Sequence, residues 1–362
     1  MIVTSNIIEV TQLLTKMQRR FYSETPRFIP RHALPSFNIP KSDFKGHQMK
    51  ALRKFRKLAP ELNLLIELRD IRAPLSTRNV VFDSVLKENK FLKKLVIYTK
   101  KDLTTGSSGK DYFSKLSQWH AELNEKFIIV DGRSKTDAMT LLKILQWESF
   151  KNAENGMRQP MGYRAFIAGM PNVGKSTLVN TLRMVSHPNK EGTKFKKVAK
   201  TGSEAGVTRS TSEIIKLTQQ TERIDSIYLI DSPGIGVPGR LSSQNRMLSL
   251  ALTGSVKISL INPVIQADYL LYLMNLQIPK KNLEWYPGFS TNPTNDIYEV
   301  LNRLTKNSSD YNEDAVALNW VNKWRENSHN LLFDVEVLLN PEDFSYMKFV
   351  SDQLEDLGDL MS

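Results

Sequence analysis

The sequence predicts an α/β fold built on a mainly parallel, doubly wound sheet, followed by a C-terminal helical domain. From residue 62 onwards, short apolar runs alternate with stretches whose apolar residues recur at helical spacing, as in successive βαβ units. A glycine-containing turn lies between an apolar run and a helix near the middle of the chain, at residues 169–176. From about residue 240 the pattern stays helical. Ligands of such folds bind at the carboxyl ends of the strands.

The first 61 residues precede this alternating region and are rich in basic side chains. Residues 1–25 combine apolar positions at helical spacing with two acidic residues and an arginine pair, which predicts a mitochondrial targeting segment. An ordinary basic first helix is the alternative. Residues 26–61 predict a proline-containing linker and then a basic helix. That helix is expected to turn Met49, Leu52 and Phe55 inwards and its basic side chains towards solvent or a phosphate backbone.

The rest of the chain is predicted to form an α/β domain over residues 62–250 and a helical domain over residues 251–362. Strands are expected at residues 62–68, 94–98, 127–130, 164–168, 212–217 and 226–230. Helices are expected between these strands at residues 75–89, 112–126 and 136–150, and in the last domain at residues 292–304, 315–327 and 341–361.

The turn at residues 169–176 has the sequence GMPNVGKS, which is the G-x-x-x-x-G-K-S pattern of a phosphate-binding loop. Its glycines let successive backbone N–H groups point at phosphate oxygens, and the helix that follows adds its positive end. Lys175 is expected to reach the β- and γ-phosphates, and the Ser176 hydroxyl to ligate Mg²⁺. The predicted nucleotide contacts in this region are Asn172, Val173, Gly174, Lys175, Ser176 and Thr177.

Two further motifs after the phosphate loop are expected to face the triphosphate. The DSPG sequence that starts at Asp231 follows a strand, so its carboxylate can act on Mg²⁺ through a water and the Gly234 N–H can face the γ-phosphate. Thr208 lies in a long polar loop and can ligate Mg²⁺ directly when that loop closes on the triphosphate. Lys175 and Thr208 are therefore the expected catalytic residues.

Residues that follow the earlier strands are predicted to read the base. Thr99-Lys100-Lys101-Asp102 comes directly after the strand at 94–98. The Asp102 carboxylate can accept hydrogen bonds from guanine N1–H and N2–H₂, a donor pair that adenine lacks, which argues against an ATPase. Lys100 can lie over the base. Asp131 and Gly132 end the next strand and can supply backbone N–H to guanine O6.

The order of these motifs is unusual, because the base-reading sequence precedes the phosphate loop and DSPG comes last. With this order, and with GHQMK at 46–50, RDIRAPLSTRN at 69–79, TKKD, GMPNVGKST, GVTR and DSPG, the chain resembles the circularly permuted GTPases of the YlqF/RbgA type. Together with the N-terminal segment, it is similar to the mitochondrial members of that family. The resemblance covers roughly residues 40–362.

This resemblance implies a GTP-hydrolysing assembly factor for the mitochondrial large ribosomal subunit, released or reset by hydrolysis. Such a protein acts in the matrix, often as a peripheral protein on the inner membrane, and the basic helix and the helical domain hold rRNA. The resemblance also implies a catalytic role for His47, a K⁺ contact for Asn172 beside Mg²⁺, and slow intrinsic hydrolysis, because Ile235 stands where many GTPases have a glutamine.

Composition agrees with an anionic partner and leaves two other functions open. The net charge is +12, and residues 1–60 hold 12 Lys and Arg against 3 Asp and Glu. The chain has no cysteine, which excludes disulfides and thiolate metal sites. It also has no apolar run long enough to span a bilayer. A GTP-gated RNA-binding module with little catalytic role and a membrane-associated GTP switch are the alternatives.

Overall fold

A computed structural model provides the structure of the protein. It describes residues 28–44, 46–104, 108–157, 160–187, 213–238, 243–277, 293–305, 312–326, 331–334 and 344–361. The strands are β1 (Leu64–Asp70), β2 (Lys93–Thr99), β3 (Lys126–Ile129), β4 (Tyr163–Gly169), β5 (Ile214–Lys216) and β6 (Ile227–Asp231). The α/β region contains helices α1 (Gly46–Leu58), α2 (Val80–Glu88), α3 (Ser108–Glu122), α4 (Lys135–Glu154) and α5 (Lys175–Ser186). The later helices are α6 (Gln244–Thr253), α7 (Pro263–Gln277), α8 (Ile297–Thr305), α9 (Glu313–Glu326) and α10 (Tyr346–Met361).

The six strands form one sheet in the order β3-β2-β1-β4-β6-β5. All neighbouring strands are parallel except β5, which pairs antiparallel with β6 at one edge. The strand that leads into the phosphate loop, β4, therefore lies between the first strand of the chain and the strand that leads into DSPG. The permuted motif order thus forms a continuous α/β sheet, as the sequence predicted.

Strand residues alternate between two helical layers because successive side chains of a strand point to opposite faces. On β1, Leu64, Ile66 and Leu68 belong to the apolar cluster that contains α4 and α5. Leu65 faces the other way, into the cluster of α1 and α2. A third cluster joins α3 to Tyr346 at the start of α10. Helices therefore cover both faces of the sheet and leave the carboxyl ends of β1, β2, β4 and β6 at its edge.

The later helices extend the first of these layers. Residues of α6, α7, α8 and α9 share one continuous apolar cluster with β1, β4, α4 and α5. Helix α6 spans residue 250, where the sequence placed its boundary between the two domains. The division into domains stays a prediction, but the described helices contribute to the same core as the sheet.

The predicted linker has no helix or strand in its described part, residues 28–44, yet it contacts the later helices. Arg31 forms an ion pair with Asp268 of α7 at 2.6 Å. The Phe37 N–H donates to Gln244 Oε1 of α6 at 3.0 Å, and Ile39 is buried in the main cluster. Residues 28–44 therefore pack against the later helices.

Two local predictions were wrong in detail. Helix α2 begins at Val80, not at residue 75, because residues 71–77 form turns and the Asn79 side chain caps the helix by accepting from the Val81 N–H. On α1, Met49 is exposed, while Gln48 is buried beside Leu52 and Phe55. Gln48 is buried because its amide bonds to backbone groups, a contact that apolar periodicity does not reveal.

The predicted targeting segment lies outside the described residues. None of the described helices is long and apolar enough to cross a membrane.

Candidate nucleotide site

The phosphate loop joins β4 to α5 in the geometry that its sequence predicts. Gly174 has φ +93°, a left-handed conformation that favours glycine, and α5 begins directly after it at Lys175. The N-terminal N–H groups of α5 therefore face the loop. The Lys175 ammonium donates to the Gly169 and Met170 carbonyls at 3.1 and 2.9 Å. These carbonyl contacts hold the lysine across the space that phosphates would fill.

The site contains two buried ionisable side chains, Lys175 and Asp231. Burial lowers the pKa of Lys175 to about 8, although Asp231 opposes the shift. Burial also raises the pKa of Asp231, at the end of β6. Asp231 Oδ1 is buried and has no hydrogen-bond partner among the described residues. A carboxylate oxygen in that position fits a metal-bound water, and an ammonium with only carbonyl partners fits a phosphate. The residues present therefore suit a Mg²⁺ nucleotide.

The TKKD sequence joins the phosphate loop through its threonine. The Thr99 hydroxyl lies within hydrogen-bond distance of the Val173 carbonyl and, at 3.1 Å, of the Arg69 carbonyl. Lys100 follows in a left-handed conformation, φ +62°, and the Lys101 N–H donates to the Val130 carbonyl at 3.3 Å. Asp102 is about one third exposed. Thr99 stands where asparagine is more usual. It therefore links the residues predicted to read the base, 99–102, which form the base-reading corner, to the phosphate loop.

Asp70 holds the lysine of the base-reading corner. Its carboxylate accepts from Lys100 Nζ at 2.7 Å and from Arg72 Nη2 at 2.9 Å. Burial alone would raise the pKa of Asp70, but Arg72 and Lys100 outweigh it and hold the pKa well below its usual range. Asp70 therefore stays ionised and fixes the ammonium of Lys100. The sequence signalled this residue only as part of RDIRAPLSTRN.

Asp131 and Gly132 lie beside the same corner. The Asp131 N–H donates to Asp137 Oδ2 at 2.8 Å, and the Gly132 carbonyl accepts from Thr181 of α5 at 2.7 Å. Arg133, which follows them, approaches Asp102 to 3.7 Å. The strand end is thus next to both TKKD and α5. The guanine O6 contact stays a prediction.

The DSPG sequence lies against the phosphate loop. The Ser232 hydroxyl donates to the Ile167 carbonyl of β4 at 2.8 Å, and the Ile235 N–H donates to the Gly169 carbonyl at 3.1 Å. A Cβ on Gly234 would lie 2.8 Å from Pro171 Cα, so only glycine fits this approach. The Ile235 side chain is fully buried in the cluster that contains Phe55. It therefore points into the core.

The comparisons with known proteins agree with this geometry. The family model of the 50S ribosome-binding GTPases matches residues 164–315. Mitochondrial GTPase 1 of Saccharomyces cerevisiae is 58% identical over 345 residues, which cover 94% of this chain and 93% of the relative. The chain belongs to the mitochondrial GTPase 1 family. Ribosome biogenesis GTPase A of Bacillus cereus is 32% identical and covers 73% of this chain and 81% of its own. Mitochondrial ribosome-associated GTPase 1 of Xenopus tropicalis is 30% identical, with 72% and 78% covered.

In this member of the family, two polar side chains hold the backbone just after DSPG. Asn79 Nδ2 donates to the Ile235 and Gly236 carbonyls at 2.9 and 3.0 Å. Gln48 Oε1 accepts from the Gly236 N–H at 2.7 Å. His47 precedes Gln48 in the first turn of α1. Sequence reasoning missed Gln48 entirely, because a glutamine on an apolar helix face has no distinctive pattern.

The RDIRAPLSTRN segment, which this family member carries between β1 and α2, also binds the C-terminal part of the chain. The Asp334 carboxylate accepts from the Leu75 N–H at 2.6 Å and from the Ser76 N–H at 3.2 Å. Arg72 Nη1 donates to the Arg325 carbonyl at 3.2 Å, and Arg69 donates to the Tyr346 hydroxyl at 2.8 Å. One segment therefore contacts TKKD, the backbone after DSPG, and α9 and α10.

The metal contacts predicted for Asn172, Thr208 and Ser176 stay predictions. Asn172 has φ +57°, and its Nδ2 donates to the Gly254 carbonyl at the end of α6 at 2.8 Å. The Asn172 side chain, which is predicted to contact K⁺, is therefore bonded through its Nδ2 to the end of α6. Thr208, the predicted Mg²⁺ ligand of the long loop, lies outside the described residues. Ser176 is the second residue of α5, directly after Lys175.

Proposed function

We propose that this GTPase is an assembly factor for the mitochondrial large ribosomal subunit, acting in the matrix and released or reset by GTP hydrolysis. The observation that carries the GTP assignment is the Thr99 hydroxyl contact with the Val173 carbonyl, which joins the base-reading and phosphate-binding parts into one site. The ribosomal assignment is supported by the relatives, whose names associate them with mitochondria and with ribosomes. Peripheral attachment to the inner membrane belongs to the same proposal.

Each residue has a distinct part in the proposed reaction. Lys175 would exchange its two loop carbonyls for the β- and γ-phosphates, and Ser176 and Thr208 are the residues that would hold Mg²⁺. Asp231, whose Oδ1 has no hydrogen-bond partner among the described residues, would help to hold the hydrated ion. The Mg²⁺ ion would neutralise charge on the phosphate oxygens. Asp102 reads the guanine edge, and Asn172 holds K⁺ beside the phosphates.

Hydrolysis is proposed to need help from the ribosomal particle. Ile235 is fully buried, so it cannot orient the attacking water as a glutamine would. His47 is the candidate replacement, since the adjacent Gln48 holds the backbone after DSPG. The particle would bring the start of α1 into its working position. Slow intrinsic turnover and strong stimulation by large subunits follow from this arrangement.

The RNA contact is proposed to use the solvent face of α1. Lys50, Arg53, Lys54 and Lys57 are exposed on that face, while Leu52 and Phe55 anchor the opposite face in the core. Lysine and arginine side chains held on a rigid helix attract phosphates and release counterions on binding. The helical C-terminal region is proposed to share this contact with rRNA.

The deciding experiment measures GTP hydrolysis by the purified protein with and without mitochondrial large subunits. Strong stimulation in K⁺ buffer, absent in a Ser176→Ala variant, is the expected result. GTP binding without stimulation would contradict the assembly-factor proposal and favour a gated binding module. Equal rates in Na⁺ and K⁺ would remove the K⁺ role of Asn172.

Guanine recognition has a separate test. Asp102→Asn replaces an acceptor by a group that matches xanthine, so preference should move from GTP towards xanthosine triphosphate. Competition binding of the two nucleotides measures this preference. Unchanged GTP affinity would exclude Asp102 from reading the base.

A further inference from the structure

Helix α4 presents a ridge of exposed side chains that takes no part in the contacts of the nucleotide site described above. Met139, Lys143, Trp147 and Lys151 recur every four residues and are all exposed. Side chains at this spacing lie one above another on a helix, so the ridge is about 18 Å long at 1.5 Å per residue. The opposite side of α4 is buried, through residues such as Leu141 and Leu145.

Trp147 is the unusual member of this ridge. It is 55% exposed, although a tryptophan side chain is the largest apolar group that a protein can bury. Its ring stacks on Phe150 with centroids 5.6 Å apart, and Lys151 Nζ lies 5.2 Å from its centroid. Both contacts come from the same helix. They orient the indole and leave more than half of Trp147 exposed.

The charge around Trp147 is mainly basic. Lys143 and Lys151 flank it one turn away on either side, and Lys126 of the edge strand β3 is 70% exposed. The nearby acid, Glu148, is turned inwards and forms ion pairs with Lys93 and Lys126 at 3.2 and 2.8 Å. A negatively charged partner would thus meet lysines and an indole at the centre of the ridge, while the exposed Glu154 lies one turn beyond Lys151 at its end.

We propose that the ridge Met139, Lys143, Trp147 and Lys151 binds an unpaired segment of RNA. A base stacks on Trp147, and Lys143 and Lys151 contact the phosphates on either side. Aromatic stacking with flanking cations is the usual chemistry of single-strand binding, since every base has a π face. A membrane-binding helix shows a continuous apolar face beside a basic one. Here lysines interrupt the apolar positions along the ridge itself, which favours RNA.

This inference rests on the proposed function only for the origin of the RNA, which would be the ribosomal particle. The surface differs from the basic face of α1, which has no exposed aromatic side chain among its described residues. The two faces would therefore recognise different parts of an RNA. Helix α1 would bind phosphates of any segment, whereas α4 would require an unstacked base.

The test measures binding of the full chain to a fluorescent 20-nucleotide single-stranded RNA and to a duplex of equal length. Trp147→Ala should weaken single-strand binding about tenfold, while Trp147→Phe, which keeps a stacking face, should stay within about threefold. Lys143→Gln with Lys151→Gln should weaken binding and reduce its salt dependence by about two charges. Tyr298→Ala is the matched control, because Tyr298 is a 52% exposed aromatic of α8 next to the exposed Glu299, and it should bind as the wild type.

Three results would overturn the proposal. The first is single-strand binding by Trp147→Ala that equals that of the wild type. The second is loss of sedimentation with cardiolipin-containing vesicles in that variant while RNA binding persists, which would make the ridge a membrane contact. The third is loss of a self-associated state with RNA binding unchanged. GTP hydrolysis and large-subunit stimulation are measured in parallel. Absent stimulation in the wild type, together with a Trp147-dependent RNA contact, would remove the proposed function and retain the RNA ridge.

Discussion

The phosphate loop and the base-reading corner lie side by side but are built differently. The phosphate loop combines local contacts, with Gly174 at φ +93° and Lys175 bonded to carbonyls five and six residues earlier, with hydrogen bonds that join its own backbone and Asn172 to Thr99, Ile235 and Gly254. The base-reading corner is held by distant side chains. Lys100 pairs with Asp70, Asp70 pairs with Arg72, and Arg72 donates to the Arg325 carbonyl of α9.

This difference suggests that the two halves of the site respond to different events. The lysine of the phosphate loop, Lys175, bonds only to carbonyls of that loop among the contacts described. A lysine held through Asp70 and Arg72 can change when α9 moves or binds a partner. If TKKD reads the base as proposed, movement of α9 would alter the position of Lys100 more directly than that of Lys175.

The largest expected effect removes the charge of the phosphate loop. Lys175→Ala should lower GTP hydrolysis at least about a hundredfold, because the transition-state charge on the γ-phosphate loses its ammonium partner. Single-turnover hydrolysis with radiolabelled GTP measures this loss. Circular dichroism should show an intact fold, since the loop shape depends on the glycines. Retained hydrolysis would mean that the loop is not the catalytic element.

Two glycines after β6 provide the next comparison. A Cβ on Gly234 would lie 2.8 Å from the backbone Cα of Pro171, whereas one on Gly236 would meet atoms at the end of the Gln48 side chain. Gly234→Ala should therefore weaken GTP binding by about 2 kcal/mol, roughly thirtyfold, and Gly236→Ala should have a much smaller effect. Titration with a fluorescent GTP analogue compares the two. Equal losses would contradict the close approach of DSPG to the phosphate loop.

The base-reading corner should be sensitive to Asp70. Asp70→Asn removes the charge that holds Lys100 and should weaken binding of GTP and GDP about tenfold. Asp83→Asn is the matched control: Asp83 also pairs with a lysine and an arginine, Lys94 and Arg78, but touches no TKKD residue. Both variants should lower the free energy of unfolding, and only Asp70→Asn should change affinity of the folded protein. Equal affinity losses would show that Asp70 acts through stability alone.

The smallest effect comes from pH. Burial lowers the pKa of Lys175 to about 8 without nucleotide, and a bound triphosphate must raise it, so binding above pH 8 requires proton uptake. GTP affinity should be constant below pH 7 and fall about fourfold between pH 7 and 8.5. Isothermal titration in two buffers measures the affinity and the proton uptake. Lys175→Arg, which stays charged, should show a flat profile over this range. A wild-type profile that is also flat would exclude titration of Lys175.

Local patterns were enough for most of the fold. Each apolar run predicted as a strand is a strand within a few residues, because a buried parallel strand needs a continuous apolar segment. The exceptions depended on side-chain hydrogen bonds. Asn79 starts α2 five residues later than periodicity indicated, and Gln48 replaces Met49 on the inner face of α1. Periodicity carries no information on such caps and amide contacts.

The residues of the candidate site likewise fall into those that the sequence revealed and those that it did not. Lys175, Asp231 and Thr99 could be found from the sequence, since spacing and a preceding strand place them at the carboxyl edge of the sheet. Asp334 could not be found, because the backbone N–H groups that it accepts lie more than 250 residues earlier in the chain. The RDIRAPLSTRN segment did indicate a functional region, because its charged residues lie at and directly after the end of a buried strand.

The sequence by itself therefore determined the α/β class, the phosphate loop and the permuted order of the motifs. These features depend on backbone conformation and on residues close together in the chain. Only the tertiary structure decided that Ile235 is buried, that Asp70 holds Lys100 and that one segment joins the nucleotide site to α9 and α10. The reason is physical: buried charges and amides must find partners wherever the folded chain provides them, and sequence distance does not limit that choice.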